Sequence, residues 1–157
     1  MKINWLKLFA SLLVCQLAGG IGSVFTFPNI TSWYATLNKP AFNPPNWLFA
    51  PAWTTLFILM GLALYLVWER GGWKANKLPI TVFGIQLLLN ILWSVLFFGL
   101  QNPLAAFVEI IFLWIAILGT IMLFYRVEKT AAYLMVPYIC WVTFAALLNY
   151  SIWLLNI

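Results

Sequence analysis

The sequence predicts an all-α integral membrane protein, a five-transmembrane-helix bundle forming one domain over residues 1–157. Three observations predict it. Only 7% of the residues are charged and 65% are hydrophobic, against roughly 25% charged in an average soluble protein. So few charges cannot coat a water-facing surface, and the core must sit in lipid. Apolar runs recur at about 5–27, 47–68, 78–100, 103–125 and 131–155, each near the ~20 residues a helix needs to cross a hydrocarbon layer. The basic residues fall at or close to the ends of those runs.

The first run has Lys2 and Lys7 at its start, as a signal peptide would. Its apolar stretch is too long for one, and QLAGG gives no small-x-small cleavage pattern, so it reads as a retained helix. Ala18, Gly19, Gly20, Gly22 and Ser23 form a patch that lets a neighbouring helix approach closely. The connection 28–46 leads into the second run through WYATLNKPAFNPPNWLFAPAW (33–53). These 21 residues hold three Trp, one Tyr, two Phe, four Pro and a single charge, Lys39. Each Pro fixes φ and removes a backbone donor, and the residue before it is driven to extended geometry. A stiff segment of rings with polar tips suits the membrane boundary or the lid of an apolar cavity. The remaining connections, 69–77, 101–102 and 126–130, are short, so successive helices are antiparallel neighbours. An odd number of helices without an internal repeat argues against an inverted-repeat transporter.

Lys2, Lys7, Arg70, Lys74, Lys77, Arg126 and Lys129 all fall on the side of the N-terminus, and only Lys39 on the other. The positive-inside rule then makes the N-terminus cytoplasmic and puts the loop 28–46 and the C-terminus outside. The net charge of +5 comes from these orientation signals and not from a basic cluster, so nucleic acid is not an expected partner. Cys15 and Cys140 lie in apolar runs and read as small buried hydrophobes. The chain has no His, which excludes His-ligated haem, His-metal sites and the commonest general base.

Polar residues within the spans are few. Gln86, Asn90 and Ser94 recur every fourth residue, with Trp93 beside them, as a stripe on the third helix. Pro137, Trp141, Ala145 and Asn149 form a second stripe on the fifth. Trp53 and Phe57 are one turn apart on the second, and Glu109 is the one acid well inside a run. At a rise of about 1.5 Å per residue, Trp53 and Glu109 lie roughly 9 Å below the outer end and Asn90 and Ala145 roughly 15 Å. All belong to the half of the membrane beneath the aromatic loop, which points to a roofed pocket. Asn90 and Gln86 serve equally well as interhelical hydrogen-bonding groups. Glu109 is either a functional acid or a structural one. The sequence holds no Asp, no carboxylate pair, no Ser/His arrangement, no metal-ligand cluster and no phosphate loop, so binding rather than catalysis is expected.

Trp33-Tyr34, Lys39-Pro40, Phe42, Pro44-Pro45, Trp47, Phe49, Pro51-x-Trp53, Met60-Gly61, Trp68, Asn90-x-x-Trp93-Ser94, Pro103, Pro137-Tyr138, Trp141, Phe144-Ala145 and Leu148-Asn149 resemble, in order, the pattern of the TspO/MBR family. Its members are translocator proteins, also called peripheral-type benzodiazepine receptors or tryptophan-rich sensory proteins. The resemblance implies a five-helix membrane receptor, dimeric in many members, that takes porphyrins and other apolar molecules beneath the first loop, with a tetrapyrrole of haem type as ligand and no required cofactor. Carried over by position, the ligand-binding residues would be Tyr34, Pro44, Phe49, Trp53, Phe57, Asn90, Trp93, Trp141 and Ala145, while Glu109 matches a position that is acidic in similar bacterial proteins. Tyr150 is followed by no Lys or Arg, so the sterol-associated motif of mitochondrial members is incomplete. A receptor or sensor of the cell (inner) membrane is the leading expectation. The alternatives are a small transporter of porphyrin-like compounds with Glu109 coupled to protons, and light- or oxygen-dependent porphyrin breakdown involving Trp53, Trp93 and Trp141.

Overall fold

The computed structural model describes residues 3–157; Lys2 and its contribution to the basic end lie outside the described residues. The chain folds as α1 (Trp5–Ile30), α2 (Trp33–Thr36), α3 (Asn46–Glu69), α4 (Gly72–Ala75), α5 (Lys77–Ser94), α6 (Pro103–Val127), α7 (Lys129–Leu134) and α8 (Val136–Leu155). Five segments are long and apolar enough to cross a membrane: α1, α3, α5 with its extension to Gly99, α6, and α7 with α8. The five predicted spans are all present, and among the described residues there is no strand.

The differences have local causes. Helix α1 continues through Pro28 to Ile30 instead of ending at 27. Proline frees the carbonyl one turn back, and such a break is tolerated at a helix end whose last carbonyls find side-chain donors. Here Asn29 Nδ2 donates to the Phe25 carbonyl at 2.9 Å and Ser32 Oγ to that of Pro28 at 2.7 Å. Within the loop, Trp33–Thr36 forms one helical turn. Beyond Ser94, α5 widens into a π-turn over Val95–Gly99, and the link to α6 is closed by Gln101 with φ of 51°. The last span is broken at Met135, where α7 gives way to α8 with Pro137 in its first turn.

Helix α1 packs on α3 and α5, α5 on α6, α6 on α8, and α3 on α7, so the spans form a ring. Its half toward the N-terminal end of α1, called inner for the positions of the ends alone, is filled by side chains such as Met60, Phe83, Leu113, Ile117, Phe124 and Met135. The seam between α1 and α3 is close because Gly61 has no side chain: a Cβ there would lie 2.9 Å from the Leu12 Cα. Helices α3 and α8 approach each other sparsely and meet through the rings of Phe49, Trp53, Tyr138 and Trp141.

Ion pairs tie the inner end. Lys7 Nζ meets Glu69 at 2.6 Å, joining α1 to α3. Arg70 Nε donates to Glu128 Oε2 at 2.6 Å, joining the end of α3 to the α6–α7 turn. The Thr130 amide and the Arg70 guanidinium together hold the Glu128 carboxyl below its ordinary value. Cys15 is buried as predicted; Cys140 is not, and lies exposed on the apolar outside of α8. A helix inside a bilayer hides nothing by being apolar, since lipid accepts Cys140 as readily as the core does.

Candidate functional site

The outer half of the ring is hollow. A cavity of about 610 Å³ lies between α1, α3, α5 and α8, beneath the aromatic loop; small-molecule sites run from ~300 to ~1,000 Å³. Rings form most of its wall. Trp53 stacks on Phe57 with centroids 5.7 Å apart, as the one-turn spacing predicts, and meets Tyr138 edge-on at 6.3 Å. Trp93 stacks on Phe97 at 5.2 Å. Trp141 touches Phe49 at 6.4 Å and Phe144 at 5.7 Å. Space remains because small residues, among them Gly19, Gly22 and Ala145, face the hollow. Gly19 is the tightest of them: a Cβ there would meet the Phe57 ring at 2.6 Å.

Polar groups are set in the wall with their partners fixed. Trp93 Nε1 donates to Asn149 Oδ1 at 3.0 Å, and Asn149 Nδ2 donates to the Pro103 carbonyl at 2.8 Å. Asn90 Nδ2 donates to the hydroxyl of the fully buried Tyr138 at 3.0 Å. Asn90 therefore holds α5 to α8 and also lines the cavity. Asn90→Leu is expected to lower stability by about 1–3 kcal/mol, because the Tyr138 hydroxyl loses its partner in a place water does not reach. Thermal midpoints in detergent check this, and the pair Asn90→Leu with Tyr138→Phe should recover most of the loss. A stable single variant would show that this bond carries no packing role.

The loop closes the top by using up its own polar groups. Tyr34 OH donates to Asn43 Oδ1 at 2.6 Å, and burial pushes this phenol up to about 12, so it remains a donor at neutral pH. Lys39 Nζ donates to the carbonyls of Tyr34 at 2.7 Å, Leu37 at 2.9 Å and Ala35 at 3.4 Å, capping the short α2. Below, Trp33 packs edge-on against Phe97 at 5.6 Å and Tyr34 against Phe49 at 6.4 Å.

A second tie reaches the far end of the chain. The Asn38 amide donates to Asn156 Oδ1 at 2.9 Å, and Asn156 Nδ2 donates back to the Asn38 carbonyl at 2.9 Å. Asn38 Nδ2 adds a bond to the Leu155 carbonyl at 3.3 Å. This latch sits at the surface, so Asn156→Ala should cost only about 1–2 kcal/mol of local stability. Hydrogen exchange at the Asn38 and Asn43 amides should accelerate several-fold; unchanged exchange would mean the loop is held by its aromatic contacts alone.

The cavity opens sideways as well. Gly20 and Phe27 on α1, and Trp47, Ala50 and Thr54 on α3, line it and are exposed. Helix α1 leans on α3 in the inner half, through Leu12 and Gly61, and on α5 in the outer half, where Gly22 faces Ser94. The gap between α1 and α3 follows from that lean.

Of the residues named from the sequence, Tyr34, Phe49, Trp53, Phe57, Asn90, Trp93, Trp141 and Ala145 line this one cavity. Pro44 and Glu109 do not. Pro44 lies in the loop, where its carbonyl accepts from Asn43 Nδ2 at 3.1 Å. Glu109 is buried on α6 with neither carboxylate oxygen hydrogen-bonded to protein. Gln86 is buried deeper in the bundle, with both side-chain polar atoms unpartnered, and Pro137 lines a shallow groove on the outside between α3 and α8. Sequence reasoning missed Phe97, Phe98 and the α1 residues Thr26 and Ile30. The π-turn gives no signal within an apolar run, and the α1 pair lies where the helix was expected to stop. Among the described residues no cluster could hold a metal ion.

Comparison with known proteins agrees with this architecture. The model of the TspO/MBR family matches residues 11–154. Tryptophan-rich protein TspO of Archaeoglobus fulgidus is 51% identical over 154 residues, covering 98% of this chain and 99% of that one. The translocator protein of Bos taurus is 36% identical over 151 residues, with 95% and 89% covered. The tryptophan-rich sensory protein of Cereibacter sphaeroides is 33% identical over 156 residues, with 99% and 95% covered. With a family match over nearly its whole length and relatives that are collinear end to end, this chain belongs to the TspO/MBR family of integral membrane proteins.

Proposed function

We propose that the protein is a membrane receptor or sensor that binds porphyrins and other flat apolar molecules in the cavity beneath its first loop. The observation that carries this reading is the cavity itself: about 610 Å³, walled by Trp53, Phe57, Trp93, Phe97 and Trp141, and roofed by a tied-down loop. Flat conjugated molecules gain stacking energy from such walls beyond the area they bury. Relatives whose names speak of sensing and translocation fit a small-molecule role without identifying the molecule. Titration of the purified protein with protoporphyrin IX tests it. Saturable quenching of Trp emission is expected, and quenching no stronger than in empty micelles would refute the reading.

We further propose the cell membrane as the location, with the N-terminus inside and the latched loop outside, from the distribution of basic residues. The ion-paired end then faces the cytoplasm. Ala35 and Ala75 are both exposed, at opposite ends of the bundle. In a Cys140→Ala background, an impermeant thiol reagent applied to intact cells should label a cysteine placed at Ala35 and not one placed at Ala75. The reverse pattern would invert the topology.

A further inference from the structure

We propose that the cavity prefers the uncharged form of a ligand over the ionised one, so that a tetrapyrrole diester binds more tightly than the corresponding diacid, whose carboxylates stay at the rim. This rests on the tetrapyrrole reading for its choice of ligand, but not for its physics. Among the described residues, no Lys, Arg, Asp or Glu lines the cavity. Its polar lining is made of amides, hydroxyls and indoles, and the indole N–H groups of Trp53 and Trp141 have no acceptor among the described residues. Such neutral donors satisfy a carbonyl or an ester. They do not neutralise an anion, and an ionised carboxylate moved into an apolar wall without a countercharge loses far more hydration than a few neutral bonds return.

No countercharge can be recruited nearby. Among the described residues the single basic one at the outer end is Lys39, and an ammonium has three protons to give. All three directions are taken by the carbonyls of Tyr34, Ala35 and Leu37. Turning it toward a ligand would uncap α2 and loosen the roof it holds. The other described basic residues, Lys7, Arg70, Lys74, Lys77, Arg126 and Lys129, stand at the inner end of the bundle. Behind the wall, the one carboxyl buried in the outer half belongs to Glu109, whose oxygens have no donor of their own. An anion entering the cavity would meet no countercharge. A free propionate must therefore stay at the exposed rim or the side opening, which limits how the ring can lie.

The test compares protoporphyrin IX with its dimethyl ester, and pyrenebutanoate with pyrenebutanamide, in one detergent with partition into empty micelles subtracted. The neutral member of each pair should bind at least about tenfold more tightly, the discrimination expected for an unpaired charge. Equal affinity, or tighter binding of the acid, overturns the proposal. If neither porphyrin binds while the pyrene pair discriminates, the tetrapyrrole reading fails and the charge rule stands. Asn46→Lys supplies the missing cation at the exposed rim of the cavity, with the folded fraction measured in the same samples. It should raise the affinity of the acids several-fold relative to that of the ester and amide; an equal change for both members would also overturn the proposal.

Discussion

Gly61→Ala is expected to destabilise the bundle by about 2–3 kcal/mol, although alanine is the better helix former by about 1 kcal/mol. The new Cβ would stand 2.9 Å from the Leu12 Cα and 3.2 Å from the Ser11 carbonyl oxygen. Both are backbone atoms, so no rotamer change relieves the contact and α1 must move off α3. That seam also carries the Lys7–Glu69 pair and the bond from the Asn4 amide to Tyr65 OH at 3.3 Å, which would stretch with it. Gly84→Ala is the control, because nothing lies within 4 Å of a Cβ at that position. Helix propensity alone predicts two gains in stability; packing predicts a gain for Gly84 and a loss for Gly61. Thermal midpoints of the two variants in one detergent decide it, and a Gly61→Ala protein at least as stable as the parent would show that the helices can separate freely.

The contrast between those two glycines shows where sequence reasoning stops. Gly61 stood inside the resemblance as Met60-Gly61 and Gly84 did not, yet nothing in composition or hydropathy tells a glycine under a crossing helix from one facing lipid. Hydropathy gave the five spans, because length and charge depletion are properties of single segments. It could not give the end of α1, since Pro28 is a stop signal only when no other bonds secure the last turn. Asn29 and Ser32 add side-chain donors to the neighbouring carbonyls of Phe25 and Pro28, which holds the last turn together. Nor could it give the π-turn, whose residues Val95–Gly99 read as ordinary apolar helix.

The cavity was partly legible for a different reason. In a span, a side chain that can hydrogen-bond must find a partner or face a hollow, so Asn90, Trp93 and Asn149 announce the inward face of α5 and α8 by their chemistry. Glu109 announces itself equally, and the structure buries it behind the wall instead of in it. The one-turn repeat of Gln86, Asn90 and Ser94 places all three on one stripe, but the floor at Tyr138 divides it: Ser94 and Asn90 reach the cavity, and Gln86 does not. Periodicity assigns a face; it does not say how far along that face the hollow extends. The latch between Asn38 and Asn156 joins residues 118 positions apart, and no local pattern could pair them.

Removing both Trp53 and Trp141 is expected to weaken porphyrin binding by about 30- to 10⁴-fold, from roughly 1–3 kcal/mol for each ring's buried area and stacking. Trp53 projects from α3 onto Phe57 and Tyr138, whereas Trp141 projects from α8 onto Phe49 and Phe144. They share none of these protein partners but face one cavity and one ligand, so the double replacement measures their joint loss and the two single replacements the coupling between them. Because the reporter rings are themselves removed, binding is followed by the porphyrin's own absorbance in place of Trp emission. Trp53→Ala also opens space beneath the cavity and will lower stability, so the folded fraction is measured in the same samples. Trp→Phe at both positions keeps a ring on each wall and should retain more of the affinity than Ala while preserving the fold. Trp73→Ala, exposed at the inner end, should leave binding unchanged. A folded double Trp→Ala protein that binds porphyrin as tightly as the parent would place the ligand somewhere other than this cavity.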